Sequence, residues 1–251
     1  MTVTEADDPG GLAPDAERLV GLARGLAPAA PAGDILDLLA VGAGVKPMAA
    51  VAACYTDAGA PAWGDVDEAA LRRGEVGDRL EALTIEWHLQ PVETVHEAGT
   101  AITWYELLCG REGVTAFVEA TGPLPGDRTE REYGRALGYP ASAVDWFVGR
   151  DGADRSVFDV IRTSGREERA VTLAASVPYV PAPTPRGAAD AIDDGRRLTE
   201  ALGQLDGAAG GALAERLLGE RIDATLSERD AGVTTRWRDP LHRAMHSPAR
   251  V

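Results

Sequence analysis

The sequence predicts an α+β protein, in which an antiparallel or mixed sheet of about five strands packs against several helices and a helical pair ends the domain. Apolar residues recur at helical spacing in several segments, and they alternate with polar residues in two further pairs of segments. Helical and hairpin segments interleave without a strand–helix–strand rhythm, which favours an antiparallel or mixed sheet over a parallel one.

Two helices and a strand open the folded part of the chain. The first helix begins near Asp15, and its apolar residues fall at helical spacing: Ala16, Leu19, Val20, Ala23 and Leu26. Asp34 is placed to cap a second, short helix, which the glycines at 42 and 44 end. The small apolar run Met48–Tyr55 then predicts a buried strand.

A third helix is expected after the loop that follows this strand. Asp65 and Glu68 have the spacing of a capping box, in which each side chain bonds the other residue's backbone N–H. The helix behind them is expected to bury four side chains: Val76, Leu80, Leu83 and Trp87.

Alternation of apolar and polar residues predicts two hairpins. In the first, the strands Pro91–His96 and Ala101–Cys109 flank a turn-forming stretch at 97–100. In the second, Val157–Arg162 and Ala170–Val177 flank a polar stretch at 163–169.

Helical spacing predicts the remaining elements. Three short helices lie between the hairpins, at about Glu112–Ala120, Thr129–Leu137 and Ala141–Val148, and Thr129 with Glu132 forms a second capping box. Two longer helices follow, at about Arg186–Leu205 and Gly210–Arg229. We therefore expect a disordered lead-in at 1–14, a single α+β domain at 15–230 with its C-terminal helices at 186–229, and a cationic tail at 231–251.

The charge balance restricts the possible partners. The chain of 251 residues carries 40 acidic and 25 basic side chains, a formal charge of −15. This charge excludes a protein whose whole surface binds nucleic acid or an anionic membrane. The tail Arg236–Val251 opposes the trend with four arginines and a tryptophan, and it is the one segment suited to RNA; the alternative is that it docks on its own acidic body.

The basic residues are almost all arginine, since Lys46 is the only lysine. An acidic, lysine-poor composition resembles that of proteins from salt-loving archaea, where carboxylates maintain hydration at high salt; a high-GC actinobacterial origin is the alternative. The sequence shows neither a membrane span nor a secretion signal, so we expect a cytoplasmic protein. Cys54 and Cys109 lie in apolar stretches, which predicts reduced core thiols without disulfide or zinc chemistry.

The stretch from 132 to 147 is the most distinctive. Gly138 is placed to end one helix with a positive φ, and Pro140 fits the first turn of the next. The corner is either a packing device or an anion site, in which the second helix begins beside Arg135, Tyr139 and Ser142. The proline-rich segment Ser176–Arg186 likewise leads into a helix and is either a stiff connector or part of such a site.

The segments Tyr133–Arg135 and Leu137–Pro140 resemble an uncharacterised archaeal family of unknown function with the pattern Leu-Gly-Tyr-Pro-x-Cys-Cys. Ser142 and Ala143 stand where that pattern has its cysteines, and Val177–Pro183 is similar to a later proline-rich segment of the family. The resemblance implies that any thiol-based metal or redox site of the family is absent here, and that fold carries over better than activity.

These observations favour a domain that binds a small anionic ligand or a protein partner, with no cofactor and no metal. The predicted site joins six side chains: Tyr133, Arg135, Tyr139, Ser142, Tyr179 and Arg186. The alternative is a hydrolase- or lyase-type enzyme in which His88 or His96 forms an acid–base pair with Glu93 or Glu97.

Overall fold

The computed structural model describes residues 13–27, 30–56, 73–97, 100–122, 128–149, 156–166, 168–205 and 208–230. Within these ranges the fold is α+β, with ten helices and one antiparallel sheet of three strands. The prediction of about five strands is wrong, because both strands of the second predicted hairpin are helices. No helix of the described ranges is long and apolar enough to cross a membrane.

The element bounds follow the chain in order. The helices are α1 (Ala13–Leu26), α2 (Ala32–Gly42), α3 (Arg73–Glu81), α4 (Val114–Thr121), α5 (Glu130–Ala136), α6 (Ala141–Gly149), α7 (Val157–Thr163), α8 (Glu168–Ala175), α9 (Pro185–Gly203) and α10 (Ala208–Asp230). The strands are β1 (Met48–Thr56), β2 (Glu86–Glu97) and β3 (Thr100–Gly110).

The sheet has the order β1-β3-β2, and β3 pairs antiparallel with both neighbours. The first predicted hairpin is therefore confirmed as β2–β3, with an irregularity between Pro91 and Glu93. One face of the sheet packs Val51 and Leu107 into the main core, which includes apolar side chains of α1, α2, α3 and α10. The other face packs Leu108 into a smaller cluster with α4 and α5.

The second predicted hairpin is helical because its apolar residues also fit a helix. Val157, Phe158 and Ile161 are all buried, which a helix achieves at positions i, i+1 and i+4. Ser156 begins α7 as its N-cap, since its hydroxyl accepts a hydrogen bond from the N–H of Phe158 at 3.2 Å. Asp159, which strict alternation places beside the two buried aliphatic residues, is exposed.

Two local predictions near the sheet are also wrong. Pro31, not Asp34, is the N-cap of α2. The Asp34 carboxylate instead accepts a hydrogen bond from the N–H of Ala52 at 2.8 Å, which satisfies a backbone donor of β1. Trp87 belongs to β2 rather than to the helix before it, and its indole lies against Gly77 of α3. The capping box predicted at Asp65 and Glu68 lies outside the described residues.

Helices α8 and α9 approach each other closely at Gly195. A Cβ atom built there would lie 2.0 Å from the carbonyl oxygen of Leu173, so no larger residue fits without moving the helices apart. We expect Gly195→Ala to lower the free energy of unfolding by about 1–3 kcal/mol in urea denaturation. Gly219→Ala on α10, where nothing lies within 4 Å of the added atom, is the matched control and is expected to be neutral or stabilising. Equal effects of the two substitutions would contradict the close contact.

Candidate functional site

The structure brings four of the six predicted site residues to one corner, where α6 meets α9. The rings of Tyr139 and Tyr179 lie 5.3 Å apart between centroids. Ser142 donates a hydrogen bond to Asp190 of α9, and the guanidinium of Arg186 lies 4.0 Å from the same carboxylate. The positive φ predicted for Gly138 at this corner is confirmed at 78°.

The other two predicted residues both lie on α5. The Tyr133 hydroxyl donates a hydrogen bond to the Glu106 carboxylate of β3. Arg135 is exposed on α5. The six-residue site therefore stays a prediction, of which the structure assembles four members.

The donors at this corner already bind carboxylates. The Tyr179 hydroxyl donates to Asp194 at 2.7 Å, and Ser142 donates to Asp190 one helical turn earlier. Burial raises the pKa of Tyr179, and the hydrogen bond and negative charge of Asp194 raise it further. Because these hydroxyls are already used by protein anions, a site for an anionic ligand needs donors elsewhere.

A buried group of three charges, which we call the Asp37 clamp, lies next to this corner. It consists of Asp37, Lys46 and Arg221, whose side chains are each 8–9% exposed. The Asp37 carboxylate lies 2.7 Å from the Lys46 ammonium and 3.0 Å from the Arg221 guanidinium. Arg221 also donates to the carbonyl oxygens of Gly33 and Ser176, so α10 is tied to α2 and to the end of α8.

In the clamp, two cations form ion pairs with the same carboxylate. Burial opposes ionisation of Asp37, but the charges and hydrogen bonds of Lys46 and Arg221 outweigh it and hold its pKa below the usual value. Burial lowers the pKa of Lys46, and Arg221 adds to that effect while Asp37 opposes it. The Lys46 ammonium also lies 5.0 Å from the centre of the Tyr139 ring, a cation–π contact.

A second buried polar group, the Glu106 network, lies between the sheet and α4–α5. Glu106 and Arg128 have fully buried side chains and form an ion pair at 2.8 Å. Glu106 also accepts hydrogen bonds from Gln90 at 2.7 Å and from Tyr133. The Arg128 guanidinium lies 5.1 Å from the Phe117 ring centre. One carboxylate thus satisfies three donors from different elements.

Of the four side chains in the acid–base hypothesis, the structure describes only that of His88. His88 lies on β2 two residues from Gln90, and His88 Nε2 and Gln90 Oε1 are buried without a hydrogen bond to a described residue. The side chains of the proposed partners Glu93 and Glu97, and of His96, lie outside the described part. No group of three metal-ligating side chains occurs among the described residues. The His/Glu pairing therefore stays a hypothesis.

One of the two cysteines, Cys109, is confirmed as a core residue. Cys109 is a free, buried thiol in the main core, and burial raises its pKa to about 12. At that pKa the thiol stays protonated and inert at neutral pH. The side chain of Cys54 lies outside the described part.

Three arginines line a groove that the sequence analysis missed. The groove has a volume of about 530 Å³, and its lining comes from α8, α9 and the turn between α7 and α8. Three arginines line it, together with three apolar residues, which we call its floor, and a turn glycine: Arg166, Arg169, Arg196, Ala170, Leu173, Ile192 and Gly165. We call this the arginine groove.

Arg166 and Arg169 are exposed, and neither forms an ion pair with a described residue. Arg196 lies 3.2 Å from Asp193, one turn earlier on α9. Gly165 has a φ of 71°, a left-handed conformation that lets the chain reverse between α7 and α8 and carry Arg166 to the groove. In the sequence, the same arginine falls in the polar stretch of the second predicted hairpin, which hid its relation to α9.

Comparisons of the chain with protein-family models, with curated proteins and with solved structures found no match. The resemblance of Leu137–Pro140 to the archaeal family therefore stays a prediction. The function must be argued from the residues and their geometry alone.

Proposed function

We propose that the protein binds a small anionic ligand in the arginine groove. The observation that supports this most strongly is that three arginines and an apolar floor line the same groove, on a chain whose formal charge is −15. In so acidic a protein, most exposed arginines can find a carboxylate partner. Arg166 and Arg169 make no ion pair with a described carboxylate, and both face the groove.

The chemistry of the lining selects the kind of ligand. A guanidinium presents a planar fork of N–H donors that matches the oxygens of a carboxylate or phosphate, and each such charge-assisted hydrogen bond is about twice as strong as a neutral one. The floor of Ala170, Leu173 and Ile192 offers a surface for an apolar group attached to that anion. The ligand is therefore an organic anion with an apolar portion.

The volume of the groove is compatible with a small molecule. A volume of about 530 Å³ falls within the range of about 300–1,000 Å³ that is typical of small-molecule sites. A protein interface buries about 800 Å² on each partner, an area larger than this groove alone supplies.

Calorimetric titration with phenyl phosphate tests the proposal, because this probe joins an anion to an apolar ring. We expect binding at low salt that weakens as salt is added, since the ion pairs are exposed to solvent. Arg169→Gln is expected to weaken binding about tenfold through the loss of a charge-assisted hydrogen bond. Arg216→Gln removes an exposed arginine of α10 that pairs with Glu220, and it is the matched control for net charge.

The control variant is expected to bind phenyl phosphate within about twofold of the wild type, because Arg216 lies outside the groove lining. Equal weakening in both variants would show that overall charge, rather than the groove, attracts the probe. Absence of binding by the wild-type protein at low salt would overturn the proposal.

A further inference from the structure

The three arginines of the groove are not equivalent. Arg166 and Arg169 have no ion pair with a described residue, whereas Arg196 Nη1 lies 3.2 Å from Asp193 Oδ1. Both members of that pair are more than half exposed, so the pair is weak and can exchange partners. An incoming anion therefore meets two guanidinium groups that form no ion pair with a described residue and one that is already paired with Asp193.

We infer that Arg196 makes the groove selective for phosphate monoesters, which carry close to two negative charges, over anions with one charge. This inference rests on the proposed function. A singly charged anion is satisfied by Arg166 and Arg169 and gains too little from Arg196 to displace Asp193. A doubly charged phosphate attracts Arg196 more strongly than a singly charged one does, and it draws the guanidinium away from Asp193.

The geometry of a phosphate monoester fits three guanidinium groups. Its terminal phosphate has three acceptor oxygens and a charge of about −1.5 to −2 at pH 7, with a second pKa of about 6. The ester oxygen carries the organic group, which can lie on the floor formed by Ala170, Leu173 and Ile192. A phosphate diester keeps the apolar group but has only one charge and two free oxygens.

The test compares two probes that differ in this charge: phenyl phosphate, a monoester, and methyl phenyl phosphate, the corresponding diester with a single negative charge. We expect the wild-type protein to bind phenyl phosphate about tenfold more tightly at pH 7.5, by calorimetry. At pH 5 phenyl phosphate is itself singly charged, and the preference is expected to fall to about twofold or less.

The variant that tests Arg196 must keep the local charge constant. Replacing Arg196 alone leaves Asp193 without its counter-charge, which would repel every anion. The double variant Arg196→Gln/Asp193→Asn removes both charges, and both positions are exposed, so folding is expected to persist. We expect it to lower the ratio of the two affinities about fivefold, whereas Arg169→Gln weakens both probes and leaves the ratio nearly unchanged.

The outcomes separate the inference from the function on which it rests. If the wild type binds neither probe, the groove is not an anion site and the proposed function fails. If it binds both probes equally, or if the double variant weakens both by the same factor, the groove binds anions but Arg196 does not select among them. Circular dichroism and thermal unfolding of each variant confirm that the comparison is made on folded protein.

Discussion

Glu106→Leu is expected to lower the free energy of unfolding by about 3–5 kcal/mol. The side chains of Glu106 and Arg128 are fully buried, so the substitution leaves an arginine without a counter-charge in the protein interior. It also removes the acceptor for Gln90 and Tyr133, and each buried donor left without a partner costs about 1–3 kcal/mol. Urea denaturation followed by circular dichroism measures the loss.

A second substitution distinguishes an uncompensated charge from a simple packing defect. Adding Arg128→Met to Glu106→Leu removes the stranded charge, and it is expected to restore about 2 kcal/mol or more. Glu119→Leu on α4 changes an exposed carboxylate and is expected to alter stability by no more than about 0.5 kcal/mol. A Glu106→Leu protein as stable as Glu119→Leu would show that the network contributes little.

Asp37→Asn is expected to destabilise the fold by about 3–5 kcal/mol. The substitution nearly preserves the shape of the side chain, but it leaves Lys46 and Arg221 as two buried cations without their shared carboxylate. Arg221 joins α10 to α2 and to the end of α8. Loss of its ion pair with Asp37 is therefore expected to weaken the cooperative unfolding of these three helices together. Urea denaturation at pH 7 gives the difference from wild type.

The stability difference between wild type and Asp37→Asn, measured as a function of pH, shows whether the effect comes from the charge of Asp37. The folded state holds the pKa of Asp37 below its unfolded value of about 3.9, so the stabilisation is fully present above that value. It is lost as the pH falls through the lower, folded-state pKa, where the carboxylate of the native protein becomes protonated. The stability difference between wild type and Asp37→Asn should therefore shrink below about pH 4.

Glu220→Gln provides the control for Asp37→Asn. It removes one carboxylate from an exposed i,i+4 ion pair with Arg216, which is worth about 0.3–0.5 kcal/mol. A difference of less than 1 kcal/mol between the two variants at pH 7, or a gap that widens in acid, would be inconsistent with the clamp.

Several elements could be predicted from local sequence because local interactions specify them. The capping box of Thr129 and Glu132 is present in the structure, and it begins α5 one residue later, at Glu130. The helix predicted at about Arg186–Leu205 is confirmed as α9, which buries one face from Ala188 to Leu202. The hairpin β2–β3 follows from alternation and a short turn, both of which are read within about twenty residues.

The second hairpin failed because a short apolar segment is compatible with two periodicities. In Val157–Arg162 the same residues satisfy both the alternation of a strand and the face of a single helical turn. Only the N-cap at Ser156 and the packing of α7 on α9 decide between them. That error concealed the arginine groove, because a strand pairing would have placed Arg166 in a hairpin loop and separated it from Arg196.

The buried charges were beyond prediction for a different reason. The Asp37 clamp joins residues that are 184 positions apart, and no local pattern marks a carboxylate as buried. Glu106 lies in an alternating strand, where a charged residue is expected to face solvent, yet the layer of α4 and α5 covers that face. Lys46 stands out in the sequence as the only lysine, but composition alone does not indicate that its side chain is buried.

Lys46 carries the only side-chain amine in the chain. Its side chain is only 9% exposed in the native fold. Amine-directed acylating reagents therefore meet a single lysine, and it is shielded from them for as long as α2, α10 and the end of α8 remain in contact. Peptide mass mapping separates its acylation from that of the α-amino group. The rate at which Lys46 is acylated in the wild-type protein therefore reports how often the contacts between α2, α10 and the end of α8 open.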